Sequence, residues 1–327
     1  MLQPPCTTNF ENKPRRIGLE IEYIGLDLEE SAAFIQDLFS GEIRTRHKNA
    51  LEVDSEALGV FRVELDVQLL QKLAEASRKN EGREGLDLEG RLEELISPLI
   101  KTLAPNEIVT PPLPLDRLED MEQLITVLRQ KGAKGTGDSI SYAFGLHLNP
   151  EVCSFEAEYI LAHLQAFVLL YDWLKDQISM DFTRLASAYA GGFPAEYARL
   201  ILSERYAPDL SRLIDDYLQY NPSRNRALDM LPLMACLDEA RVRKVVKSEL
   251  VKKRPTFHFR MPNCKIEDPS WSITVEWNRW VMVEKLAANE DLRRKMADHR
   301  IRLMDRFIDP VTSDWLVAAK NYVEGMR

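Results

Sequence analysis

Apolar and polar residues alternate strictly in five stretches of this chain, and residues 151–250, of helical periodicity, separate the first three stretches from the last two. In 16–23, Ile17, Leu19, Ile21 and Tyr23 fall on one side, and Gly18, Glu20 and Glu22 on the other. In 61–67, Phe61, Val63, Leu65 and Val67 oppose Arg62, Glu64 and Asp66. In 139–149, Ile140, Tyr142, Phe144, Leu146 and Leu148 oppose Ser139, Ser141, Ala143, Gly145, His147 and Asn149. In 256–261, Phe257, Phe259 and Met261 oppose Thr256, His258 and Arg260; in 271–278, Trp271, Ile273, Val275 and Trp277 oppose Ser272, Thr274, Glu276 and Asn278. A period of two marks a strand with one buried face. Cutting the chain into two domains near residue 150 would leave the last pair as a lone hairpin, which is marginal in water. The pattern therefore predicts one α+β domain over 1–327. Its sheet is mainly antiparallel, with helices on one side and a mostly helical insertion at about 151–250.

Helical spacing supports the other half of that reading. Leu88, Leu92, Leu95, Ile96 and Leu99 form a stripe in 86–103, with Pro98 as a kink. Leu118, Met121, Leu124, Ile125 and Leu128 form another in 115–131, with Asp116 as the expected cap and Gly132 as the stop. The stretch 156–175 is apolar around much of its circumference, which predicts a central helix. Trp280–Met296 is also periodic.

The polar sides of the strands carry the chemistry. An antiparallel sheet with one solvated face gives the same alternation without any function. Such a face tends to carry Lys, Thr, Ser and Gln, however, whereas this one pairs Glu20 with Glu22, His147 with Asn149, His258 with Arg260 and Glu276 with Asn278, and holds no Lys. Two carboxylates two residues apart on one strand repel each other unless a cation lies between them. Oxygen donors with a nearby imidazole and amide suit Mg²⁺ or Mn²⁺ better than a thiolate metal. Mg²⁺ is usually shared with substrate phosphates, so a nucleoside triphosphate is the natural ligand, with Arg260 and Arg62 able to grip its oxygens.

Composition excludes other classes. The chain of 327 residues has 43 Lys+Arg against 52 Asp+Glu, a net charge of −9, which opposes a main role on nucleic acid or an anionic membrane. Cys6, Cys153, Cys236 and Cys264 are scattered, with no zinc spacing, and read as free thiols of a reducing cytosol. The N-terminus lacks the features of a signal peptide, and the longest apolar stretch, 159–174, is interrupted by His163, Gln165 and Asp172, so a cytoplasmic protein is expected. Seven cations crowd the fourteen residues 241–254, which hold a single acid, Glu249, and lead into the strand of His258 and Arg260; they could meet an anion or form an ordinary solvated face. The glycine-rich 131–139 lacks a phosphate-loop pattern and reads as a connection or lid. No nucleophile-elbow, zinc-protease or dinucleotide motif is present.

Several segments are similar to a known family. GLEIEY at the first strand resembles the GxExE strand of the glutamate–cysteine ligase and glutamine synthetase superfamily. EIVTPPL (107–113) is similar to the ExVSPPL segment of its amidoligase family, and GLHLN (145–149) to its G-[IL]-H-x-[HN] strand. FHFRMPNC and TVEWNRWVMVEKLA resemble the closing segments of bacterial amidoligases. The resemblance implies a glutamine synthetase-like curved sheet and a carboxylate–amine ligase that uses ATP and Mg²⁺. Such an enzyme forms an acyl phosphate on a small-molecule carboxylate and then an amide with an amine. It implies metal ligation by Glu20, Glu22, Glu107 and His147, nucleotide contacts by His147 and Asn149, and phosphate binding by Arg260. The family's E-x-R carries His258 here instead of a Glu, which adds His258 as a candidate ligand. EELISP (93–98) mimics the ExVSPPL motif but lies in a helical pattern. Glu64 or Glu276 would be the general base. A guanidino-kinase-like phosphotransferase, or a catalytically degenerate nucleotide-binding scaffold, are the alternatives. Neither the substrates nor the oligomeric state can be read from the sequence.

Overall fold

The computed structural model describes residues 1–65, 105–135, 144–178, 191–305 and 311–326. The expected helix at 86–103, the start of the 139–149 strand and the end of the glycine-rich 131–139 segment lie outside them. The chain packs as two compact units, each assembled from separated stretches: a sheet unit of Gly18–Leu146 and Asn263–Ser272, and a helical unit of Met1–Ile17, His147–Pro262 and Ile273–Arg327.

The strands are β1 (Arg16–Tyr23), β2 (Glu42–His47), β3 (Ala50–Ser55), β4 (Gly59–Leu65), β5 (Asn106–Val109), β6 (Leu113–Pro114) and β7 (Leu146–Pro150). They form one open sheet in the order β2-β3-β4-β5-β1-β6, with β7 also pairing β1. The pairings β2–β3, β3–β4, β4–β5 and β5–β1 are all antiparallel.

In the sheet unit the alternation does what its period requires. Register puts Ile21, Ile108, Val63 and Leu51 in one row and Phe61 beside Val53, all buried. Each such side chain contributes roughly 1.5–3 kcal/mol on leaving water. Two helices cover this face: α1 (Leu28–Phe39), which packs on β3 and β4, and α2 (Met121–Gln130), which packs on α1. Asp27 caps α1 by accepting from the Glu30 backbone N–H while Glu30 returns the bond, a capping box. The helix expected from 115 begins as a 3₁₀ turn, Leu115–Asp120, so Asp116 caps nothing. Gly132, at φ +96°, ends α2 as expected, and a Cβ on Gly25 would lie 2.8 Å from the Gly132 carbonyl oxygen.

The helical unit contains α3 (Ala157–Ile178), α4 (Ala195–Leu202), α5 (Leu210–Tyr220), α6 (Leu231–Leu237), α7 (Glu239–Val245), α8 (Ile273–Ala288), α9 (Glu290–Met304) and α10 (Val311–Glu324). Helix α3 is central, as its all-round apolarity predicts: α4, α5, α8, α9 and α10 all pack on it.

Two strand expectations fail here. Residues 271–278 are not a strand; from Ile273 they form the first turns of α8. Val275, which a strand would bury, is 38% exposed, while Ile273, Trp277, Trp280 and Val281 are buried at helical spacing. The helical periodicity after Trp280 thus extends backward, and packing on α3 overrides the local alternation. It does not run unbroken to Met296 either, because Asn289 caps a new helix, α9. Residues 256–261 form only isolated bridges, Thr256 to Glu151 and Phe259 to both Leu148 and Leu228.

Candidate functional site

In the sheet unit, backbone register sets Glu22 of β1 opposite Glu107 of β5, and Glu107 opposite Glu64 of β4. Three carboxylates therefore form one row across three adjacent strands, on the face opposite the core. Directly opposed side chains have Cβ atoms about 4.5–5.5 Å apart, and like charges so placed destabilise a sheet. Glu20 stands one row along on the same face, in the row of Val109 and Arg62. Glu20 and Glu22 are almost buried, at 8% and 9% exposed. The Gly145 backbone N–H donates to Glu22 Oε2 at 2.6 Å, fixing one carboxylate oxygen.

Local sequence explains why Glu107 is held in place. Thr110 closes its strand against β1: its backbone N–H donates to the Leu19 carbonyl, and its hydroxyl accepts from the Leu19 N–H at 2.9 Å. On the other side, the Asn106 side-chain amide donates to the Leu26 carbonyl at 2.6 Å. Pro111 and Pro112 then prevent the strand from continuing.

In the helical unit, Leu148 and Phe259 exchange both backbone hydrogen bonds at 2.9 Å. Register from this pair sets Asn149 opposite His258 and His147 opposite Arg260, with all four on one face. His258 Nδ1 lies 2.5 Å from Asn149 Oδ1. An amide oxygen only accepts, so Nδ1 of His258 carries a proton. The His147 and His258 rings meet edge-on at 5.2 Å, and both residues are buried. Residues 227–229 flank the other side of the 258–260 segment: the Asp229 N–H donates to the His258 carbonyl, and the Arg260 N–H to the Ala227 carbonyl. Asp229 is fully buried, and burial pushes its carboxyl up against the opposing pull of Arg260 and Arg224.

Glu276 does not belong to such a face. It is buried on α8, where its Oε1 accepts from Arg279 Nη1 at 2.5 Å while Arg279 Nη2 donates to the Gln177 carbonyl. That chain of contacts ties α8 to α3. The basic run at 241–254 is largely engaged locally: Arg241 pairs with Asp215 and Asp238, Lys253 with Glu239, and Arg243 donates to the Ser248 and Val251 carbonyls. It behaves as the solvated face that was the plainer of its two readings.

Sequence reasoning missed Asp229; its ion-pair partner Arg224 lies in the stretch 221–226, which reads from sequence as a plausible anion contact but more often as surface or packing. No short motif marks Asp229, because long-range register brings it beside His258. A cavity of about 390 Å³ in the helical unit, bordered by Tyr159, His163, Glu284 and Arg293, holds none of the residues picked out by the strand patterns. Among the described residues no helix is long and apolar enough to cross a membrane.

The sequence model of a family described as "Putative amidoligase enzyme" matches residues 13–282. No curated protein matches the chain.

Proposed function

Because the chain belongs to the amidoligase family, a family of ligases, we propose that it is an ATP- and Mg²⁺-dependent carboxylate–amine ligase that works through an acyl phosphate. The observation that carries this reading is the row Glu22–Glu107–Glu64. Three opposed carboxylates are costly in isolation and favourable around divalent cations. We assign as metal ligands Glu20, Glu22 and Glu107 of the sheet unit and His147 and His258 of the helical unit. Carboxylate and imidazole donors fit Mg²⁺ or Mn²⁺.

When bound, the cations would neutralise phosphate charge and align the transferring group. The protein's own residues then have separate tasks. Arg260 grips phosphate oxygens, and Asn149 orients His258 through its Nδ1 proton. His147 and Asn149 also border the nucleotide. A substrate carboxylate oxygen attacks the γ-phosphorus of ATP, and the bond to ADP breaks. The amine nitrogen then attacks the acyl carbon, and phosphate leaves. Glu64 accepts the ammonium proton in this scheme, since Glu276 is held by Arg279. The substrates are a small-molecule carboxylate and amine.

The test is a coupled assay for ADP release over panels of amino-acid and short-peptide carboxylates and amines, with Mg²⁺ or Mn²⁺. ADP release that requires both partners, with an amide product by mass spectrometry, supports the ligase. A stable phosphorylated product in place of an amide would move the assignment to a phosphotransferase. Absence of Mg·ATP binding by calorimetry would make the chain a scaffold.

A further inference from the structure

The cavity of about 390 Å³ in the helical unit lies among the first turns of α3, the end of α8 and the start of α9. Pockets that take small molecules run to roughly 300–1,000 Å³. Arg293, which is 9% exposed, lines this one. Its Nε donates to Gln165 Oε1 at 2.9 Å and its Nη1 to the Ala287 carbonyl, and both acceptors are neutral. Among the described residues, Nη2 has no hydrogen-bond partner, and no carboxylate lies at ion-pair distance from the guanidinium. Arg15, buried in the same unit, has Glu284 as a bidentate partner. Arg293 has no such anion: Glu290, three residues before it, pairs with Arg294 at 2.5 Å. Burial pulls the Arg293 pKa below the ordinary arginine value while Glu290 draws it back, and an arginine stays protonated in a protein. A charge left unpaired out of water is costly, and an oxyanion entering the cavity would offset that cost. The other lining charges narrow the ligand. Glu284 is neutralised by Arg15, and burial keeps His163 neutral. Glu156 and Glu158 line the exposed side, and neither forms an ion pair among the described residues. Free carboxylates repel a phosphate or a dicarboxylate, and the guanidinium repels a polyamine. A zwitterion suits both.

We propose that this cavity binds a free α-amino acid, with its carboxylate on Arg293 and its ammonium toward Glu156 and Glu158. Ala162 and Ala287 leave room for its side chain. The cavity holds none of the residues assigned to the metal centre. It is a second site, and it stands whether or not the ligase reading does.

Calorimetry on the full chain tests this, with L-alanine, L-leucine, L-glutamate and L-lysine as probes and neither nucleotide nor divalent cation present. At least one should bind. Arg293→Met should weaken it by about 10- to 100-fold, the effect of losing hydrogen bonds to a charged group. Glu158→Gln, at an exposed position, should cost about 2- to 5-fold. Propionate and ethylamine, which each keep one charge of alanine, should bind more weakly than alanine. Ala288→Phe, at an exposed lining position, fills the cavity without removing a bond. It should abolish binding at an unchanged melting temperature, and it decides the case if Arg293→Met fails to fold. No binding of any probe by wild type, or unchanged affinity in Arg293→Met and Ala288→Phe, overturns the proposal. Glu22→Gln should bind the probes as wild type does. Loss of binding in that variant would move the amino acid to the proposed metal centre and overturn this site, leaving the ligase reading in place.

Discussion

Charged side chains are arranged in two ways in this molecule. In the sheet unit, Glu22, Glu107 and Glu64 line up across three adjacent strands. In the helical unit, Arg15 and Glu284, both buried, meet through two hydrogen bonds at 2.8 and 2.5 Å, and Trp280 Nε1 donates to the same carboxylate. The second arrangement is complete: every formal charge has an opposite partner and the fork is bidentate. The first sets three like charges side by side. The contrast separates charges paired within the fold from carboxylates set side by side, and each kind fails differently when altered.

The largest expected effect comes from the row. Glu22→Gln preserves shape and can still accept from the Gly145 N–H, but it removes a proposed metal carboxylate. Loss of several kcal/mol of transition-state stabilisation lowers turnover on the order of 10³-fold. ADP release under saturating substrates measures it; turnover close to wild type would remove Glu22 from the metal centre. The matched pair should respond in the opposite sense. Glu284→Gln leaves a buried guanidinium without its counter-charge, at a cost of about 3–5 kcal/mol in stability. Urea unfolding reads this directly, and a loss under about 1 kcal/mol would show that the pair is dispensable.

How far the sequence foretold these regions depends on which forces decide each one. Strand β1 was legible because period two and burial agree at Ile17, Leu19, Ile21 and Tyr23, so Glu20 and Glu22 fell on the free face at once. His147, Asn149, His258 and Arg260 were legible for the same reason, even though 256–261 pairs only through single bridges. The segment 271–278 misled because Trp, Ile and Val suit either a strand or a buried helix, and contact with α3 made the choice. Strand β2, EIRTRH, has one apolar residue and no readable period, yet pairing with β3 orders it. Glu107 was reached through its flanking motif alone, since β5 is four residues long. The alignment of Glu107 with Glu64 is a matter of register between distant segments, which no local pattern encodes.

The comparison also extends to acid. His163, on α3, is neutral in the fold because burial pulls its pKa down to about 4, although Glu284 draws it the other way. A folded pKa below the unfolded value near 6.5 means that the native state resists the proton. This contribution is intact above about pH 6.5, declines as pH falls from there toward 4, and is lost below it, a change of about 3 kcal/mol. His163→Phe keeps the stacking on Phe257 and should flatten that part of the stability–pH curve. An unaltered slope between pH 6.5 and 4 would assign acid sensitivity to other groups.

The smallest effect is the most diagnostic for the row itself. In metal-free protein, opposed like charges cost roughly 0.2–1 kcal/mol per pair, so Glu107→Gln should leave stability unchanged or raise it slightly. In wild type, Mg²⁺ or Mn²⁺ should reverse this order, since a cation at 100 times its dissociation constant adds about 2.7 kcal/mol to the folded state. The variant should lose most of that gain. Melting curves with and without the cation therefore form a cycle of four measurements, and the signs matter more than the sizes. A Glu107→Gln variant that is destabilised without metal, and protected by it as fully as wild type, would mean that the row is a structural feature of the sheet. The opposite crossing, slightly steadier when empty and less steady when loaded, is the signature of carboxylates placed to wait for a cation.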